Sequence, residues 1–305
     1  MTDAPLSTSS AAATTSSASA ATAAPSDDEI PRGARHMFGV KDLFTTVNVL
    51  SGVAAIYYCM HGRPLAASFS FLVGYGADAV DGTVARLTRA GNRFGAEYDA
   101  AADFVAQAVA PAFVAYTLYA GAYARLGISP RAADLLGIFL AAVLVVVASV
   151  RQARNAVRPV AIDFAWIGMP RNVASFLILS YANSVLWSRV PGGLWWGVPL
   201  VLAIAIAELS PWPFMSHHGR KQFWWAKILV SAFFITTPVA ALFFTHYAWD
   251  VVFFWTTGYT TLSWTAMTRD ERRQVREAVR AAEARLVVDE TARQRAAAAA
   301  KAASR

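Results

Sequence analysis

The sequence predicts an all-α fold, a polytopic transmembrane bundle of about eight helices, from three observations. Apolar residues make up 56% of the 305 positions and charged residues only 15%. The apolar residues are gathered in long blocks of about 20, the length that crosses a hydrocarbon core of roughly 30 Å. Lys and Arg collect in alternate connections between those blocks, which is how topology marks the cytoplasmic side.

Taken in order, the first span covers about 42–60 and is preceded by Arg32, Arg35 and Lys41. The second, 65–85, is followed by Arg89 and Arg93. The third and fourth fall near 100–121 and 132–150, and Arg151, Arg154, Arg158 and Arg171 separate the fourth from the fifth at 172–188. The sixth, 192–209, is parted from the seventh, 225–245, by Arg220 and Lys221. The eighth, 249–267, leads into a basic tail after Thr268, whereas the opposite connections hold chiefly Arg63, Arg125, Arg131 and Arg189. Both termini are therefore expected to be cytoplasmic, in an integral protein of the cell (inner) membrane. The net charge of +7 is a topology signal that also favours an anionic leaflet. Because the basic residues flank spans instead of forming one soluble patch, no nucleic-acid partner is expected.

Three regions follow. Residues 1–35 are rich in Ala, Ser and Thr, with no packed-core pattern and no basic segment leading into an apolar one. They are expected to be a disordered tail, not a cleaved signal. Residues 36–268 form the transmembrane catalytic domain. Residues 269–305 form a charged cytoplasmic helix or tail in which Val275, Val279, Ala282 and Leu286 recur at helical spacing. That segment could lie on the membrane, pair with a second copy or remain solvated. The one cysteine, Cys59, excludes an internal disulfide or a cysteine metal cluster. His217 and His218 are adjacent on a loop, far from any acids, and read as solvated. Trp195, Trp196, Trp224, Trp225 and Trp249 fall near span ends and read as interfacial anchors.

The stretch DAVDGTVARLTRAGNRFGAEYDAAAD, Asp78 to Asp103, carries the chemistry. Asp78 and Asp81 are three residues apart and Asp99 and Asp103 four, so each pair shares one face of a helix. Ionisable groups at membrane depth are expensive and mark function. With a rise of about 1.5 Å per residue, Asp78 lies about 20 Å along the second span and Asp103 about 6 Å into the third. The four acids thus converge in the cytoplasmic half of the membrane and form an oxygen-rich pocket for hard divalent cations. Small residues at Gly82 and Ala85 allow close approach to the backbone. Arg86, Arg89 and Arg93 beside such a pocket suggest a phosphate-rich substrate, since guanidinium forks match phosphate oxygens.

The stretch resembles the signature of the CDP-alcohol phosphotransferase family, D-x2-D-G-x2-A-R-x8-G-x3-D-x3-D, at every fixed position: Asp78, Asp81, Gly82, Ala85, Arg86, Gly95, Asp99 and Asp103. The resemblance implies a six-helix core, a homodimer and displacement of CMP from a CDP-linked substrate by a second substrate's hydroxyl. It implies Mg2+ or Mn2+ as cofactor, as two ions, with Asp78, Asp81 and Asp99 as metal ligands. Asp103 would be the general base and also the fourth acid of the metal site, and Asp78, Gly82, Arg86 and Gly95 would line the CDP pocket.

Outside the motif, the chain is most similar to the phosphatidylserine synthases of that family. The similarity runs through DLFTTVNVLSG with Thr45, Asn48 and Gly52, through RFGAEYDAAADFVAQAVAPAF with Pro111, and through VRQARN followed by IGMP. SPWPFMS, Ser210 to Ser216, is a weaker echo. This implies CDP-diacylglycerol and L-serine as substrates. Thr45 and Asn48 are either CDP contacts or hydrogen-bonding links between spans. Arg151 and Arg154 are either acceptor-binding cations or topology determinants. Where those synthases read Asp-Ser-Leu-Ala-Asp and then Ser-Phe-Gly, this chain has Asp99-Ala100-Ala101-Ala102-Asp103 and then Ala106-Gln107-Ala108. The lost hydroxyl keeps glycerol 3-phosphate or an inositol phosphate open as the acceptor. A non-catalytic transporter or scaffold that binds a cation is the reading from a different class.

Overall fold

The computed structural model describes residues 39–88, 93–160, 162, 164–216, 224–265 and 267–303. The chain divides into two compact units, Met1–Phe38 and Gly39–Arg305. The first unit, with the expected disordered tail, lies outside the described residues.

The second unit is helical, as predicted. It begins with α1 (Val40–Met60), where the Asp42 carboxylate accepts from the Gly39 amide at 2.7 Å and so occupies a donor the helix start leaves unpaired. A turn with Gly62 at φ +67° returns the chain into α2 (Pro64–Thr88), whose first residue is a proline that needs no amide partner there. α1 and α2 pack backbone to backbone: a Cβ on Gly74 would sit 2.9 Å from Ser51 Cβ and 3.0 Å from Asn48 Oδ1.

The third helix is continuous but not uniform. It comprises α3 (Arg93–Phe104), a π turn over Val105–Val109 and α4 (Ala110–Ala120). A short α5 (Tyr123–Leu126) leads to α6 (Pro130–Val157), which Ser129 caps by accepting from the Ala132 amide at 3.2 Å. α7 (Arg171–Asn183) is buried along most of its length, from Ala174 to Tyr181. It ends at Asn183, and Ser184 caps the separate α8 (Val185–Arg189), its hydroxyl donating to Asp250. The expected continuous span 172–188 is therefore broken by a cap. α9 (Gly193–Leu209), α10 (Trp224–Phe243) and α11 (Ala248–Thr265) complete the membrane part, and α12 (Arg269–Ala303) follows.

Three of these helical stretches, Lys41–Met60, Phe94–Ala120 and Pro130–Val157, are long and apolar enough to cross a membrane. Gly193–Leu209 and Ser231–Phe243 are shorter apolar helices. Each of the eight expected spans coincides with a helical segment, although α7 covers only the first part of its span. On α1, Leu43, Leu50, Val53 and Tyr57 are exposed, and on α6 Leu135, Ile138, Phe139 and Val146 are too. Apolar faces of this extent suit lipid, not water. Helices of this length with such faces are those of an integral membrane protein.

Two features depart from a pure bundle. β1 (Ala165–Ile167) pairs antiparallel with β2 (Pro213–Met215), Trp166 opposite Phe214. Beneath this ribbon, Ala165, Met215, Met267, Val275 and Val279 form one buried cluster. The periodic face of α12 thus docks on the ribbon at its start, and Arg158 Nη1 adds a 2.6 Å ion pair to Glu283. Thr268 and Glu271 cap α12 reciprocally, each backbone amide donating to the other's side chain at 2.9 and 3.2 Å.

Candidate active site

Asp78 lies on α2 and Asp99 and Asp103 lie one turn apart on α3. These helices bring the three carboxylates together, with one oxygen from each within 4.8 Å of the others. Mg2+ takes oxygen ligands at about 2.0–2.1 Å, so two oxygens on one ion stand up to about 4.2 Å apart. The three acids are thus grouped as residues that could hold a divalent cation once their side chains draw slightly closer. Asp81, Gly82 and Arg86 continue along the last turns of α2, and their surroundings lie outside the described residues. Gly95 is buried in the first turn of α3.

The surroundings of Asp103 are the most tightly organised. Its Oδ1 accepts from Asn48 Nδ2 at 2.9 Å and from Gln107 Nε2 at 2.7 Å. Asn48 and Thr45 are completely or nearly buried on α1, so Asn48 reaches the acids by linking spans. Tyr98 adds a second link from α3 to α1, 3.0 Å from the Thr46 hydroxyl. A Cβ on Gly52 would lie 2.8 Å from Ala106 Cα, so α1 rests directly against the π turn.

The acids line a cavity of about 660 Å³ together with Arg151, Gln152, Asn155, Arg171 and Asn172. Arg171 Nη2 donates to Gln152 Oε1 at 2.7 Å, and its guanidinium lies 5.8 Å from the Phe104 ring centroid. Aromatic rings form a further wall: Phe176 meets Tyr75 edge-on at 4.8 Å and Phe233 at 5.3 Å, and Phe234 and Trp255 also line the cavity. Glu208, buried at the end of α9, is the carboxylate whose field reaches Arg151, Arg171 and Arg154 together. A smaller cavity of about 430 Å³ adjoins the first and is lined by Arg151, Arg154, Arg158 and Trp166.

The two arginines singled out in the sequence part ways here. Arg151 is buried and lines the main cavity. Arg154 lines only the smaller one and donates to three main-chain carbonyls, those of Leu209 at 2.8 Å and of Ile167 and Glu208 at 3.3 Å. The α9 end thereby gains partners for orphan carbonyls. Gln107, Arg171 and the aromatic wall were not singled out in the sequence. Gln107 stands four residues after Asp103, a spacing that could have revealed it. Arg171 looked like one more loop cation, and the aromatic wall joins helices far apart in sequence.

Acids, cations and aromatic rings thus line one cavity of a helical membrane protein. The sequence profile of the CDP-alcohol phosphatidyltransferase family matches residues 39–263, most of the chain, and the chain belongs to that family of transferases. Among relatives, it is 29% identical over 139 residues to the CDP-diacylglycerol–serine O-phosphatidyltransferase of Helicobacter pylori, covering 45% of this chain and 54% of that protein. It is 35% identical over 88 residues to the Mycobacterium tuberculosis protein of the same name, covering 28% of this chain and 31% of that one. The chain thus spans about half the length of the first of these relatives and less of the second.

Proposed function

We propose that the protein transfers a phosphatidyl group from CDP-diacylglycerol to the hydroxyl of L-serine, yielding phosphatidylserine and CMP. The observation that carries this reading is the cavity itself, lined at once by three clustered acids, by Arg151 and Arg171 and by aromatic rings. The acids suit the pyrophosphate, the arginines a carboxylated acceptor, and the rings the lipid end of the donor.

In this reading Asp78, Asp81 and Asp99 hold Mg2+ or Mn2+, two ions with Asp103 at the edge of the set. The chemistry supplied by bound divalent ions is neutralisation of the pyrophosphate oxygens and of the departing CMP. Asp103 takes the proton from the serine hydroxyl, whose oxygen forms a new bond to the lipid-side phosphorus. The bond from that phosphorus to the bridging oxygen breaks, and CMP leaves with that oxygen. Gly82, Arg86 and Gly95 border the cytidine diphosphate, and Asn48 holds Asp103. Arg171 joins Arg151 as an acceptor-side cation, while Arg154 fixes the wall behind them. The mouth faces the cytoplasm in this reading, and the protein works as a homodimer.

An acceptor bearing a phosphate ester, glycerol 3-phosphate or an inositol phosphate, is the second reading. The adjoining cavity with Arg154 and Arg158 favours it. Purified protein assayed with CDP-diacylglycerol and each acceptor in turn separates the two. CMP release with serine supports the first, and release only with a phosphorylated alcohol overturns it in favour of the second.

A further inference from the structure

We propose that Gln107 is a positioning residue for Asp103, held in place by a π turn that Ser175 braces from α7. The inference rests on the reading of Asp103 as the proton acceptor and deepens it. Two amide donors from different helices, Asn48 and Gln107, converge on the same carboxylate oxygen, Oδ1. A carboxylate oxygen offers two lone pairs, and this pair of donors engages both on Oδ1. Charge-assisted bonds of this kind are short and strong, and two from different directions fix the side-chain rotamer. Neutral amides do so without adding a cation that would compete with a metal for the acid.

The backbone is shaped for this contact. The π turn starts two residues beyond Asp103 and includes Gln107. Residues four apart on a helix are neighbours, and the π turn widens the backbone on the Gln107 side of that pair. π turns are uncommon and cluster at functional sites, because widening the ring disturbs the hydrogen-bond ladder. Here the Gln107 carbonyl accepts from the buried Ser175 hydroxyl at 2.5 Å, and the same hydroxyl lies 2.8 Å from the Arg171 carbonyl. Ser175 therefore ties the turn beneath Asp103 to the start of α7, where Arg171 enters the cavity. On the opposite side, the absent side chain of Gly52 lets α1 lie against Ala106 and deliver Asn48. Gln107 itself is only 7% exposed, and the surface it keeps faces the cavity.

The test uses the full chain in detergent. Gln107→Met preserves length without a donor, Gln107→His keeps a ring N–H at similar reach, and Ser175→Ala removes one hydroxyl. Each is measured for kcat, KM for both substrates, Mn2+ affinity without substrates, and metal-free thermal midpoint. A misplacement of about 1 Å can cost roughly 100-fold in turnover. Gln107→Met should therefore lower kcat about 10- to 100-fold with both KM values within about twofold, and should weaken Mn2+ binding several-fold with the midpoint nearly unchanged. Gln107→His should recover most of both losses, and Ser175→Ala should show a smaller loss of the same kind. In an Asp103→Asn background, Gln107→Met should have no further effect on turnover. Wild-type kcat and Mn2+ affinity in Gln107→Met overturn the proposal. So does a fall in thermal midpoint and both KM values that Gln107→His does not reverse. If Gln107→Met fails to fold, unchanged kcat and Mn2+ affinity in Ser175→Ala overturn it instead. Failure of the enzymatic reading looks different: wild-type protein releases no CMP with any acceptor, and Mn2+ affinity still judges Gln107.

Discussion

Gly52→Ala is the smallest change that should separate the helices around Asp103. The added Cβ would lie 2.8 Å from Ala106 Cα and 3.1 Å from Ala106 N, both main-chain atoms that cannot swing aside. Reaching an ordinary contact near 3.4 Å needs a separation of about 0.6 Å between α1 and the π turn. Passed on to Asn48, one turn away on α1, that shift lengthens the 2.9 Å bond to Asp103 to about 3.5 Å, beyond good hydrogen-bond geometry. Overpacking of this sort costs about 1–3 kcal/mol of stability. Loss of a hydrogen bond to a charged group costs about 1.5–3 kcal/mol, which at 1.36 kcal/mol per tenfold is roughly 10- to 150-fold in turnover. The assay is initial-rate CMP release beside thermal melting in detergent. Gly258→Ala is the control, because a Cβ there meets nothing within 4 Å, and it should melt and turn over like wild type. Wild-type turnover in Gly52→Ala would show that α1 does not hold Asp103 through Asn48.

The remaining predictions separate the roles of acids, cations and the last helix. Asp78→Ala should lose metal dependence and CDP-nucleotide affinity together, whereas Asp103→Asn should lose turnover almost completely and keep nucleotide binding, as equilibrium binding of CDP will record. Arg154→Ala should lower stability by about 1 kcal/mol by removing the donor shared by three partly exposed carbonyls, seen as a lower melting midpoint with little change in KM for the acceptor. Val275→Asp should release α12 from the ribbon, since burying a charge there adds desolvation to the roughly 1.5–3 kcal/mol lost with the valine. Limited proteolysis near Thr268 should then become faster than in wild type.

Most of the architecture was legible because it rests on local period and length. The eight apolar blocks are helices, and Asp78, Asp99 and Asp103 meet because helical spacing aligns each pair and antiparallel helices face them together. What periodicity does not encode is the choice of distant partner. β1 and β2 are three residues each and are separated in the chain by three helices, α7, α8 and α9, so neither announces itself. The Asp250 carboxylate that engages the hydroxyl of Ser184 and breaks the fifth span comes from α11. The charge of Arg154 is plain in the sequence and leaves it open as an acceptor cation or a topology determinant, while the carbonyls it donates to appear only once α9 ends beside it. Gln107 was hidden by being polar among alanines, with no charge to mark it.

The cluster joining Ala165, Met215, Met267, Val275 and Val279 ties the last helix to the cavity through the ribbon. Ala165 and Met215 lie on β1 and β2, Val275 and Val279 on α12, and Trp166 of β1 lines the cavity. Helices within lipid gain little from hiding apolar surface from one another and rely on close packing and hydrogen bonds, whereas burial of apolar side chains away from water is driven by the hydrophobic effect. An agent that weakens such burial, urea for example, and that frees α12 should therefore also reach the cavity lining at Trp166.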